Sequence, residues 1–184
     1  MRTARTTTIS KTAIIPAATA GRTAFSWSVV IAGALAAWAV SFIFITLGSG
    51  VGLAIASPFS GPSTGSMTII GAIWLIIAQS ISYATGGYLA ARLRIRDHIP
   101  GDETMFRDAA HGFMAWVVGV GVMSAALLLV GAMAHHDTST ATTLTEEARK
   151  AAAFFSFWSF LALLFGAVAA TLAGILGGEL RDEL

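Results

Sequence analysis

Polar and apolar residues fall in blocks along this chain. Between positions 23 and 91 there is no Asp, Glu, Lys, Arg or His. A dense polar stretch follows, RLRIRDHIPGDETMFRDAAH at residues 92–111, and apolar sequence resumes at Gly112. A helix needs about 20 mostly apolar residues to cross a bilayer. Four stretches meet that requirement: residues 25–47, 67–91, 112–134 and 151–177. The pattern predicts an all-α fold, an integral membrane four-helix bundle of two in–out–in hairpins. A basic tail, residues 1–22, precedes a single transmembrane domain, residues 23–184, whose two halves are joined by the polar loop 92–111.

Composition agrees with the pattern. Of 184 residues only 11% are charged, against about 25% in a soluble domain, and the mean hydropathy is +0.75. The chain has no cysteine, which excludes disulfides, thiolate chemistry and cysteine-ligated metals. The placement of charge sets an expected orientation. Arg2, Arg5, Lys11 and Arg22 lie in the tail, Arg92, Arg94, Arg96 and Arg107 in the central loop, and Arg181 near the C-terminus. The opposite side has only Arg149 and Lys150. Basic residues stay on the cytoplasmic side, so both termini and the loop are expected there. The Thr/Ala-rich, acid-free tail has the composition of an organelle transit peptide and is read here as a cytoplasmic tail touching anionic headgroups. The final Arg-Asp-Glu-Leu resembles an ER-retrieval signal. That signal is read in the lumen, so it carries no address at a cytoplasmic end.

The helices carry packing signals rather than chemistry. Ala78, Ser82, Gly86 and Ala90 recur every fourth residue in helix 2, and Ala162, Gly166, Ala170, Gly174 and Gly178 do so in helix 4. Small residues at that spacing let transmembrane helices approach closely. Trp27, Tyr83, Tyr88, Trp116 and the aromatic run from Phe154 to Phe160 are expected at the interfaces. Gln79 is expected to make an interhelical hydrogen bond. Gly48, Gly50 and Gly52 predict that helix 1 ends near Leu47 and gives way to a loop over residues 48–60, closed by Pro58 and Pro62. A re-entrant, filter-like turn is the alternative there.

The central loop has the most chemistry. Asp102 is a candidate helix N-cap, and Glu103 sits in the first turn. Glu103, Arg107 and His111 are spaced by four and share a face. Arg92, Arg94, Arg96, Asp102, Glu103, Arg107 and Asp108 form a mixed-charge segment expected to dock a protein partner, since misplaced like charges penalise wrong partners. Asp108 and His111, three apart, are the weak candidates for a metal or pH-sensing site. His135, His136 and Asp137, with Glu146 or Glu147, are a second loose cluster. Thr143 to Glu146 fits a capping box for helix 4, with Glu146 and Lys150 as a four-apart ion pair.

Two further patterns emerge. Gly87-x-Leu89-x-x-x-Leu93-Arg94 recurs as Gly174-x-Leu176-x-x-x-Leu180-Arg181, and Arg22-x-x-Phe25-x-Trp27 parallels His111-x-x-Met114-x-Trp116. This suggests an internal duplication about an axis along the membrane normal. The run GGYLAARLR followed by DETMFRDAAHGFMAW resembles a group of uncharacterised small four-helix bacterial inner-membrane proteins. The resemblance implies topology and a bacterial source, and brings no activity, cofactor or site.

No predicted span holds an ionisable residue, whereas proton relays, coupled transporters and intramembrane enzymes need them at depth. The expected function is therefore non-enzymatic: an oligomer-forming or accessory subunit of a larger membrane assembly. Lipids and other membrane subunits or further copies of the chain are the expected partners. No cofactor or nucleic acid is expected. The alternatives are a small passive channel using residues 48–60, and a metal-dependent enzyme or sensor using Asp108 and His111.

Overall fold

The computed structural model of the chain describes residues 25–55, 64–95, 101–136 and 146–183. The basic tail 1–22, Arg96, Asp137 and residues 56–60 lie outside the described residues. Four helices account for nearly all the rest: α1 (Trp27–Ile55), α2 (Thr64–Arg92), α3 (Gly101–His136) and α4 (Glu146–Asp182). At 1.5 Å per residue they are roughly 43–56 Å long, and a bilayer is about 40–45 Å thick with its headgroups. All four are long and apolar enough to cross a membrane, the build of a multi-pass membrane protein.

Each helix is longer than its apolar core predicts. α1 continues through Gly48, Gly50 and Gly52 to Ile55, where the sequence suggests a loop. Glycine weakens a helix in water. At membrane depth every backbone group needs a partner within the segment, which favours continuing the helix. Gly48 also has a packing reason to be glycine. The indole of Trp74 on α2 occupies the space its Cβ would fill, and Trp74 Nε1 donates to the Phe44 carbonyl at 3.2 Å. At the other end, α3 takes in residues 101–111, the second half of the stretch expected to be a polar loop. Asp102 and Glu103 lie in the first turn, where acids complement the helix dipole.

α2 and α4 form the centre of the bundle. α1 packs on α2 and α3, and α3 also packs on α2 and α4, while among the described residues α1 and α4 do not touch. The two ends can be named from what they hold. The start of α1, the end of α2, the start of α3 and the end of α4 share the terminal end. The opposite ends share the far end.

The core is built from small residues. Among the buried apolar residues Ala34, Ala37, Ala72, Ala78, Ala90, Ala91, Ala115, Ala162 and Ala170 outnumber Val30 and Tyr83. Large side chains point outward, as with Leu128 at 75% and Phe42 at 68% exposure. A water-soluble bundle buries such residues; helices in lipid associate through close backbone contact instead. All nine stripe residues, Ala78, Ser82, Gly86, Ala90, Ala162, Gly166, Ala170, Gly174 and Gly178, are buried. Gly86 faces Gly33 of α1, with the Gly33 carbonyl 2.6 Å from where its Cβ would stand. α2 has a second small face that the four-residue stripe does not show. Gly87 packs on the Ala170 backbone of α4, and Ala91 is fully buried. Tyr83 departs from its expected interfacial place: it is 5% exposed and fills the space left by Gly119 and Gly166.

At Gly174 a Cβ would stand 2.7 Å from the Asp108 carbonyl and 3.2 Å from Gly112 Cα, both backbone atoms that cannot rotate away. Gly174→Leu is predicted to destabilise the bundle by about 1–3 kcal/mol through overpacking. Gly131 has nothing within 4 Å, so Gly131→Leu is the control. Thermal unfolding of the two variants checks this. Equal melting temperatures would contradict the close α3–α4 contact.

Candidate functional site

The chemistry of the chain gathers at the terminal end, around one carboxylate. Asp108 comes from the third turn of α3 and is 1% exposed. It reaches its depth because Gly178 of α4 has no side chain: the Asp108 carboxylate lies where a Gly178 Cβ would be. Asp108 Oδ1 accepts from Arg94 Nε at 2.8 Å, just beyond the end of α2. The same oxygen accepts from Arg181 Nη1 at 3.1 Å, and Oδ2 accepts from Arg181 Nη2 at 3.1 Å. One anion thus ties α2, α3 and α4 together.

The rest of the cluster balances it. Arg94 and Arg181 are 5% and 9% exposed. Arg181 also donates to the Ala91 carbonyl of α2 at 3.0 Å, a helix C-terminal carbonyl that welcomes a cation. Asp182 pairs with Arg181 at 2.9 Å. Asp108 thus offsets one of the two buried guanidinium charges, and the exposed Asp182 lies against the other. Arg94 and Arg181 stand at the same last position of the Gly-x-Leu-x-x-x-Leu-Arg pattern in the two halves of the chain, and both reach a single acid.

His111 lies one turn further along α3 and is also 1% exposed. Its Nδ1 is 2.6 Å from the Arg107 carbonyl, and its Nε2 is 3.1 Å from the Ser26 amide. A carbonyl can only accept, so Nδ1 carries the proton and Nε2 accepts from the Ser26 N–H. This assigns a neutral imidazole. Phe25 stacks on the ring at 4.6 Å between centroids. His111 thereby fixes the point where the chain enters α1.

These contacts redistribute the candidates from the sequence. Of the mixed-charge segment, Arg94 and Asp108 are buried within the bundle, while Asp102 is exposed and Glu103 pairs with Arg107 at 2.7 Å on the surface. Both oxygens of Asp108 and both nitrogens of His111 have protein partners. Among the described residues no group of three or more His, Cys, Asp or Glu side chains could hold a metal ion. His135 and His136 end α3 with side chains outside the described residues. Gln79 Oε1 is buried without a hydrogen-bond partner among the described residues, so the expected interhelical bond to that oxygen is absent. Arg181, Phe25 and Ser26 are the residues that sequence reasoning passed over. The shared last position of the repeat was the signal for Arg181.

The far end is different. α1, α2 and the first turns of α4 line a cleft of about 830 Å³, walled by Trp74, Leu75, Phe154, Phe155 and Trp158 among others. Among the described residues Lys150 is its only charged lining residue. Glu146 is engaged mainly by Arg149, at 2.8 and 2.9 Å, with Lys150 at 3.5 Å. The Arg149 guanidinium holds the Glu146 carboxyl below the usual carboxylate range.

Comparison of the chain with protein-family models, curated proteins and solved structures finds no match.

His111→Ala removes the acceptor of the Ser26 amide and the ring beneath Phe25. A single net hydrogen bond is worth about 0.5–1.5 kcal/mol, so amide exchange at Ser26 is predicted to accelerate by about two- to tenfold, with α4 amides unaffected. Unchanged exchange at Ser26 would contradict the assigned contact.

Proposed function

We propose that this chain is a non-enzymatic, oligomer-forming or accessory subunit of a bacterial inner-membrane assembly, with both termini and the 93–100 connection on the cytoplasmic side. The observation that carries the reading is the far half of α3. Only 11% of the most apolar window of α3 is buried, against 28% in each of the other three helices. Leu127, Leu128, Leu129, Val130 and Met133 are all exposed, and a Cβ at Gly121 or Gly131 would meet nothing within 4 Å among the described residues. Consecutive residues of a helix point in different directions, so exposure of Leu127 to Val130 means that no side of this segment is covered by the bundle. Nothing within the described chain stabilises its position, which suits a helix that packs on a neighbouring subunit. The buried charges point the same way. They pair with one another across the terminal end.

Orientation follows from the basic residues, of which Arg92, Arg94, Arg107 and Arg181 lie at the terminal end among the described residues.

The test is the oligomeric state of the full chain in detergent, by light scattering or native mass spectrometry. Gly121→Leu adds bulk where the chain makes no internal contact, so thermal stability is predicted to hold while self-association weakens by about 1–3 kcal/mol. A monomeric parent with no co-purifying subunit, or an assembly unmoved by Gly121→Leu and Ala125→Trp together, would contradict assembly through α3.

A further inference from the structure

The cleft at the far end has the depth of one lipid leaflet. Its lining runs from Lys150 to Trp158 on α4 and from Ile69 to Ala78 on α2, or roughly 12–14 Å at 1.5 Å per residue. Half of a bilayer's hydrocarbon core is about 15 Å. A cation stands at the outermost turn, and every other described lining residue is uncharged. α1 and α4 line the cleft together without touching each other, so no helix contact closes the gap between them.

The cation at the mouth is loosely held. Glu146 is shared between Arg149, at 2.8 and 2.9 Å, and Lys150, whose Nζ makes the longer ion pair at 3.5 Å with its side chain 72% exposed. The ammonium can exchange that pair for an anion beside the cleft and leave the Glu146–Arg149 pair in place. The cleft, about 830 Å³, runs between the aromatic walls of Trp74, Phe154 and Trp158.

We infer that this cleft is a lipid site: it holds one acyl chain of an anionic glycerophospholipid of the surrounding bilayer, with the headgroup phosphate at Lys150. The inference rests on the membrane reading above and adds a ligand class, a position and a recognition residue to it. Gly71 and Ala72 leave the room, Trp74, Phe154 and Trp158 supply the apolar contact, and Lys150 supplies headgroup preference.

Native mass spectrometry of the detergent-solubilised full chain, titrated with phosphatidylglycerol and separately with phosphatidylcholine, reads the site. The expected result is one retained phosphatidylglycerol per chain, preferred over phosphatidylcholine by about fivefold, the value of one basic residue near an anionic headgroup. Lys150→Glu is expected to erase the preference. Ala151→Trp, which fills the cleft from an exposed position, is expected to remove the retained lipid. Equal retention of both lipids, or a preference that survives Lys150→Glu, overturns the assignment. A change of oligomer mass in Ala151→Trp with no change in bound lipid also overturns it, and gives the cleft to a second copy. Flotation of the chain with alkali-washed vesicles is run alongside. If the chain fails to float, the membrane reading fails and takes the lipid site with it. If it floats and retains no lipid, only the site fails.

Discussion

One buried carboxylate holds three helices in register. Asp108 accepts three hydrogen bonds from Arg94 and Arg181, and Arg181 reaches on to the Ala91 carbonyl and Asp182. Moving an ion out of water costs several kcal/mol, which its partners return only when the geometry is good. Such a cluster adds little net stability but is strict about position. If α2 or α4 shifts along its axis, a guanidinium loses its acceptor in a place that water does not reach. The cluster therefore sets the axial register of helices whose apolar surfaces, being uniformly greasy, specify register poorly by themselves.

The small-residue packing and the ion cluster are parts of one device. Gly178 leaves the space in which the Asp108 side chain lies, and Gly174 lets the α3 backbone at Asp108 approach α4. Without those glycines the carboxylate could not stand between Arg94 and Arg181. Without the carboxylate two cations would face each other across the same gap. The result is a bundle closed at its terminal end and loose at its far end. There α3 stands with all sides exposed, and a cleft opens between α1, α2 and α4. The exposed apolar surface of α3 and the cleft lie where the helices are not clamped.

Much of the architecture was legible in the chain. Four apolar blocks separated by polar ones correspond to four helices, and the four-residue spacing of small residues marks faces that are buried. Helix ends were less legible. Gly48 to Gly52 carry the signature of a loop in water, whereas continuation of α1 follows from backbone satisfaction and from the seat of Trp74, a contact no local pattern shows. The cluster was half visible. The repeated Gly-x-Leu-x-x-x-Leu-Arg placed Arg94 and Arg181 in equivalent positions, yet nothing local shows that both turn inward to an acid on a third helix. Mixed charge beside a membrane reads as surface, and burial of Arg94 and Asp108 depends on Gly178, about seventy residues away. Tyr83 was hidden for the same reason: its place in the core is made by glycines on α3 and α4.

The central claim is that Asp108 acts through its charge on both arginines at once. The direct measurement is a double-mutant cycle on unfolding of the full chain in detergent, with Asp108→Asn, Arg94→Met and Arg181→Met singly and in pairs. Asp108→Asn keeps the shape and removes the charge, so it is predicted to cost about 3–5 kcal/mol, the usual loss when one partner of a buried ion pair is removed. Each arginine substitution is predicted to cost far less in the Asp108→Asn background than in the parent. An Asp108→Asn variant as stable as the parent, or arginine effects that simply add to it, would contradict the account.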